Sequence, residues 1–551
     1  MHYDVLKSEN KKVFMSNHTF DYIIIGAGSA GCVLAARLSE DEQINVCLIE
    51  SGGSDKSAFV QMPAGIAASV PYGINSWHYN TVPQKALNNR CGFVPRGKVL
   101  GGSSSTNAMV YIRGNKYDYD NWAKNGNPGW DYNSLLPYFI KAENNKTFNN
   151  NDLHGNHGPL HVQELSCPSP VNQLFLDACV EQGVHLNNDI NGKLQHGARL
   201  SQVTQHNGER CSAAKAYLTP HLHRQNLTVF THCHVNKIII KNKIAQGVEV
   251  EQHGKVFNLT ATEEVLLSAG AINSPQLLML SGIGPKNHLE AHNIKVQHTL
   301  EGVGENLQDH LTVVPLCKAN TAKGTFGVSV KGAASIINGC AQWFSKRSGV
   351  LTSNFAESHA FINVLDNSPA PDIQLEFVIG LVDDHSRKLH RGHGYSIHSS
   401  IMRPKSRGTI RLANSNPRSA PLIDPNYLSH PDDLATMLAG LKKALHILQS
   451  SAFDKIRGKM VYPLDVNNDA QLIEFIRQTA DTEYHPVGTC KMGNDNMAVV
   501  NSKLQVHGIR SLRVIDASIM PTIVTGNTNA PVIAIAEKAA DLIKLSYKTG
   551  L

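Results

Sequence analysis

The chain has no CxxC pair; its ten cysteines stand singly. That argues for reduced thiols in a cytoplasmic chain and against a disulfide framework. No apolar run approaches the roughly 20 residues of a membrane helix. Met1 to Thr19 is polar and contains lysine. It lacks the apolar core of a secretory signal and reads as a disordered leader. Charge of one sign never accumulates: Lys+Arg 51 against Asp+Glu 45 leaves +6, with no basic block suited to nucleic acid. Repeats are absent. The nearest approach to low complexity, Asn144 to Asp152, reads as a surface loop. His154, His157, His161, His232 and His234 lack a ligand set with cysteines or acids and read as structural. A length of 551 residues exceeds one core, so two domains are expected, interleaved or in series.

The informative stretch runs from Asp21 to Glu50. Tyr22-Ile23-Ile24-Ile25 is a β-branched apolar run, followed by Gly26-Ala27-Gly28-Ser29-Ala30-Gly31. A helical pattern from Cys32 to Leu38 and a second apolar run, Val46 to Ile49, lead to Glu50. Strand, glycine turn, helix, strand and acid in this register form a dinucleotide fingerprint. Gly26 permits the turn, Gly28 lets backbone approach a pyrophosphate, and Gly31 lets helix and strand pack closely. The helix N-terminus offers amide N–H groups to phosphate. Glu50 is placed to accept from ribose hydroxyls and would repel a 2′-phosphate, which argues against NADP.

Further on, Pro95 to Gly114 contains Gly101-Gly102-Ser103-Ser104-Ser105, a segment whose bare backbone can wrap an anion or a flat polar ring. Leu227–Phe230, Val235–Ile240, Gly247–Glu251 and Glu264–Leu267 read as strands. The last leads into Ser268-Ala269-Gly270 and a helix expected to start near Pro275 and stop at Gly282. From His310 to Asp481 strand-like runs alternate with helices at Thr436–Leu448 and Ala470–Thr479, which suggests a mixed domain on an antiparallel sheet. Tyr484-His485-Pro486-Val487-Gly488-Thr489-Cys490 reads as a loop. Leu512 to Asp516 is a strand ending in an acid that would rejoin the nucleotide sheet. Gly526 to Pro531 is a turn, and a helix follows from Pro531 to Leu545.

These blocks together resemble the glucose–methanol–choline (GMC) oxidoreductases, from Asp21 nearly to the end. Four motifs carry the likeness: Gly26–Gly31 with Glu50, Gly97–Asn107, Gly270–Gly284, and His485-Pro486 with Asn529 beyond it. The resemblance implies an α/β fold: a Rossmann-like FAD-binding domain interleaved with an α+β substrate-binding domain on an antiparallel sheet. Residues 20–310 would form the first part of the FAD domain, with excursions toward the substrate domain, 311–480 the substrate domain, and 481–551 a return to the FAD domain. FAD would lie along Gly26, Gly28, Ser29, Ala30, Gly31 and Glu50, with Val235 near the adenine. Trp77, Gly97, Gly102, Asn107 and Val110 would follow the flavin. Ala269, Asp516, Ala517, Asn527 and Thr528 would complete the site. Thr106 stands where choline oxidases carry the histidine that bonds flavin covalently, so FAD is expected to be noncovalent. Ala356 to Phe361 departs from the family pattern through Ser358, His359 and Ala360, and Glu357 there reads equally as a pocket acid or a structural one.

The resemblance further implies oxidation of a primary alcohol to an aldehyde. His485 would be the base, since a neutral imidazole suits a hydroxyl proton, and Asn529 would donate to the substrate oxygen. Aromatics make up only 6% of residues and no cage for a quaternary ammonium is evident, which favours medium-chain or aromatic alcohols over choline. Choline oxidation, a cyanohydrin lyase with structural FAD, and a flavin binder without turnover remain open. The electron acceptor is oxygen or a quinone, and peripheral contact with the inner face of a membrane stays open with it.

Overall fold

A computed structural model describes residues 18–148 and 152–549. The leader reading therefore lies outside the described residues as far as position 17, while Thr19 already opens the first strand.

Two sheets organise the chain. The first runs in the order Leu227–Phe230, Val46–Ile49, Thr19–Ile25, Lys255–Leu267, Ile244–Gln252, Cys233–Lys241. Leu512–Val514 adds in parallel to the end of Lys255–Leu267, as its sequence suggested. The strands at its centre are continuous apolar runs because both faces are covered: Ile23, Ile24 and all of Val46–Ile49 are buried. Helices Ser29–Leu38 and Asn529–Thr549 pack together on this core, pinned by Arg37, whose guanidinium grips the buried carboxylate of Glu537 at 2.9 and 2.8 Å. Arg513 makes a similar two-pronged bond to Glu264 and locks the late strand to the long one.

The second sheet is antiparallel through its main path: Arg457–Met460, Leu316–Ala319, Gly392–Ile401, Ile373–Val378, Ala356–Ile362, Gly197–Leu200. Its period-2 alternation is plain in Ile373–Val378. Ile373, Leu375 and Phe377 point into a core shared with helices Val171–Glu181, Pro431–Gln449 and Asp469–Thr479. Gln374, Glu376 and Val378 face the other way, toward the first sheet.

Three expectations need correction. The helix near Pro275 begins at Gly270, so the proline sits inside it. Proline cannot donate to the carbonyl four residues back, and Thr489 Oγ1 donates to that carbonyl, Ala271 O, at 2.6 Å instead. Asn144 to Asp152 does not begin as a loop. Asn144 and Asn145 belong to a short strand, Glu143–Asn145, and Asn145 is buried under hydrogen bonds to Glu143 and His154; residues 149–151 lie outside the described residues. The helix expected from Pro531 starts at Asn529.

Candidate active site

The parallel strands of the first sheet end at one cavity of about 640 Å³, whose opposite wall comes from the second sheet. That is where open α/β sheets bind ligands.

The glycine turn forms the floor. Gly26 has φ +96°, and a Cβ there would lie 2.6 Å from Ser268 O. Gly31 faces the turn, where a Cβ would lie 1.9 Å from Gly26 O, so this glycine serves packing and does not line the cavity. Gly28, Ser29 and Ala30 do line it. Glu50 accepts from the amides of Ala27 at 3.0 Å and Gly52 at 2.8 Å. Burial nevertheless outweighs those bonds and pushes its carboxyl up to about 7.

The serine-rich segment closes onto this floor. A Cβ on Gly102 would sit 2.8 Å from Gly28 Cα, and Gly97 packs on Gly102 with equally little room. Asn107 is fixed by buried Arg210, which donates to its side-chain oxygen at 2.8 Å and leaves Nη2 without a partner. Thr106 lines the cavity beside it. Trp77 stacks on Tyr79 with centroids 5.8 Å apart. Val110, Val235, Ala269, Ala517 and Thr528 supply wall. Asp516 accepts from Gly270 N at 2.9 Å and Ser274 Oγ at 2.6 Å, and a Cβ on Gly270 would meet no protein atom. An elongated floor of bare glycine backbone, with the acids Glu50 and Asp516 along it, suits a dinucleotide.

His485 stands on the opposite wall. Asp309 accepts from its backbone N at 2.8 Å and holds the loop. Asn527 Nδ2 donates to His485 Nε2 at 3.3 Å, which assigns the ring proton to Nδ1; that nitrogen donates to Nδ1 of buried His310 at 3.0 Å. Burial pushes the imidazole down to about 4, against the pull of Glu483 and with help from Arg96. The ring is neutral at pH 7, so it can accept a proton.

Asn529 is not at this imidazole. It is the first residue of the last helix, and its side-chain oxygen accepts from Ser29 Oγ at 2.7 Å, on the glycine floor. The structure thus separates the two asparagines: Asn527, expected on the cofactor, reaches His485, and Asn529, expected on the substrate, reaches the turn. Glu357 is resolved too. It accepts from Ser169 N at 2.7 Å, Asn172 Nδ2 at 2.6 Å and Ser353 Oγ at 2.5 Å, away from the cavity. Ser358 turns to Asn172 and His359 to Ser201, so the added bulk of that strand is absorbed without entering the lining.

Sequence reasoning missed His310, Arg210 and a carboxyl pair. Glu376 and Glu483 both line the cavity, with His398 directly across the strand from Glu376. Burial and the neighbouring Glu483 push Glu376 up; burial also opposes ionisation of Glu483, but His398, 3.5 Å away, and a hydrogen bond with Glu376 hold it down. Glu483 lay two residues before His485 and was legible as a neighbour; Glu376 comes near only through the sheet.

Comparison with known proteins agrees with this architecture. Family models described as GMC oxidoreductase match residues 20–312 and 404–536. An alcohol dehydrogenase [acceptor] of Pseudomonas putida is 44% identical over 527 residues, covering 95% of each chain. An oxygen-dependent choline dehydrogenase of Photobacterium profundum is 42% identical over 538 residues, covering 96% of this chain and 93% of the relative. The crystal structure of a pyridoxine 4-oxidase superposes with a TM-score of 0.85 at 30% identity, covering 95% of this chain and 98% of the other. With two family models and relatives of this identity across nearly its whole length, the chain belongs to the GMC oxidoreductases.

Proposed function

We propose that the chain is an FAD-dependent enzyme that oxidises a primary alcohol to an aldehyde. One observation carries the reading: a buried, neutral imidazole faces the cavity that the dinucleotide turn floors. Gly28, Ser29 and Glu50 would hold the adenosine and pyrophosphate end, and Asn107, positioned by Arg210, and Asp516 the remainder. Residues 20–310, with an excursion to the substrate domain that carries Val171–Glu181 and Gly197–Leu200, and 481–551 would form the cofactor domain and 311–480 the substrate domain. Thr106 offers only a hydroxyl where covalent attachment would need an imidazole, so FAD is held noncovalently. When bound, FAD supplies a two-electron acceptor for the hydride of the carbinol carbon. His485 Nε2 accepts the hydroxyl proton, and Asn527 Nδ2, already beside that nitrogen, donates to the substrate oxygen. His310, facing Nδ1, keeps the ring in the tautomer whose Nε2 accepts, and the substrate hydroxyl would take over the position that Asn527 Nδ2 holds there. Oxygen or a quinone then takes the electrons.

One observation favours a second reading, a quaternary-ammonium alcohol such as choline. The carboxyls of Glu376 and Glu483 lie in the cavity together with Phe326, Phe355 and Tyr484. An anaerobic panel of aliphatic, aromatic and choline-type alcohols separates the two: bleaching of the flavin names the substrate, and readmitting air or a quinone names the acceptor. A flavin that no alcohol bleaches would overturn the oxidation reading and favour a lyase or a binder.

A further inference from the structure

The helix Val330–Lys346 is packed inside out. Only Gly332, Gly339 and Trp343 are buried. A Cβ on Gly339 would lie 2.7 Å from Val350 Cγ1, so small residues bring the helix close to the body. Apart from Trp343, its large aliphatic and aromatic side chains point to solvent instead. Val330 is 88% exposed, Ile337 72% and Phe344 63%, and with exposed Ala341 they recur at helical spacing along one outward stripe. Tyr72 at 73% and Leu389 at 69% are exposed as well. Both residues, with Ile336, line the cavity, so the apolar surface is continuous with its mouth. Contiguous exposed apolar surface of this kind marks an interaction site.

Charge indicates the partner. No Asp or Glu occurs from His310 to Ala356, a stretch that carries Lys318, Lys323, Lys331 and Lys346, besides Arg347, which pairs with Glu209. None occurs from Lys56 to Tyr117 either, which includes Tyr72. Lys331 and Lys346 are exposed at the two ends of the stripe. An apolar stripe flanked by lysines, lying flat on a protein surface, matches the composition of helices that rest in the headgroup region of an anionic bilayer. A protein partner would offer acids only locally, whereas a lipid surface meets both charge and breadth. We propose that this helix, with Tyr72 and Leu389, docks the enzyme on an anionic lipid bilayer and turns the cavity mouth toward the interface. No helix among the described residues is long and apolar enough to cross a membrane, so the contact is peripheral. The placement does not depend on which alcohol is oxidised.

The test is co-sedimentation of the purified holoenzyme with vesicles of phosphatidylcholine containing about one-third phosphatidylglycerol. Wild type should sediment with them. Ile337→Asp combined with Phe344→Asp should lower the bound fraction by about tenfold or more, with flavin content and dye-linked turnover in solution unchanged. Lys331→Glu with Lys346→Glu should weaken binding and remove most of its sensitivity to about 0.5 M salt. Wild type that stays in the supernatant, or aspartate variants that sediment equally, would overturn the proposal. So would a solution dimer that the aspartate variant dissociates, since the face would then belong to a second copy. Failure of every alcohol to bleach the flavin would leave the vesicle result untouched.

Discussion

His485 combines a hydrogen-bonded ring with a strongly lowered basicity, and its chemistry sets two expectations. His485→Ala should slow alcohol-driven flavin reduction by about 10²–10⁴-fold, read by anaerobic stopped flow. Asn527→Ala should cost about 10²-fold in the same measurement, whereas Asn529→Ala should act on cofactor retention through Ser29. Equal kinetic defects in the two asparagine variants would remove the distinction. The pH dependence follows from burial. Reduction should be level through neutrality and fall as pH drops toward about 4. An unfolded imidazole titrates near about 6.5, above its folded value, so the unfolded chain takes up the proton first. The stability this ring contributes is complete above about 6.5 and is lost as pH falls toward about 4, which acid titration of the melting temperature would show. His485 was legible because a motif surrounds it. The choice between Asn527 and Asn529 was not, because two asparagines two positions apart at a helix start point in directions that only the cap geometry fixes.

Among the elements, the helix Gly270–Leu280 keeps an internal proline only because Thr489 satisfies the carbonyl that Pro275 abandons. Thr489→Val keeps the volume and removes the donor. It should destabilise the fold by about 1–3 kcal/mol, seen in denaturant unfolding, and an unchanged midpoint would show that another group takes over. Gly31→Ala places a methyl 1.9 Å from Gly26 O. It should cost about 1–3 kcal/mol through overpacking and yield protein depleted of flavin, checked by the ratio of visible to ultraviolet absorbance. The strands of the first sheet were readable because strands covered on both faces are unbroken apolar runs. Helices Tyr132–Ala142 and Val171–Glu181 went unread; each carries ordinary amphipathic spacing with no glycine chemistry to draw attention. Helix Val330–Lys346 was harder still, since its apolar stripe faces away from the core that patterning normally locates.

At the scale of the molecule, the likeness from Asp21 almost to the end anticipated both sheets, because four motifs far apart in the chain had to meet. It could not supply the cavity's second wall, where Glu376 and His398 are paired by sheet register alone. The cofactor mode is a prediction at this scale. Acid precipitation of the yellow holoenzyme should leave the flavin in the supernatant, and colour retained in the pellet would mean a covalent bond formed without an imidazole at Thr106. The bond between Ser29 and Asn529 joins positions 500 apart. A ribosome delivers Ser29 500 positions before this asparagine, so the nucleotide floor stays incomplete while the chain between them is made. A prematurely terminated product would lack that final clasp as well as the strand at Leu512–Val514. Prosthetic-group uptake would thereby wait until translation has passed Asn529.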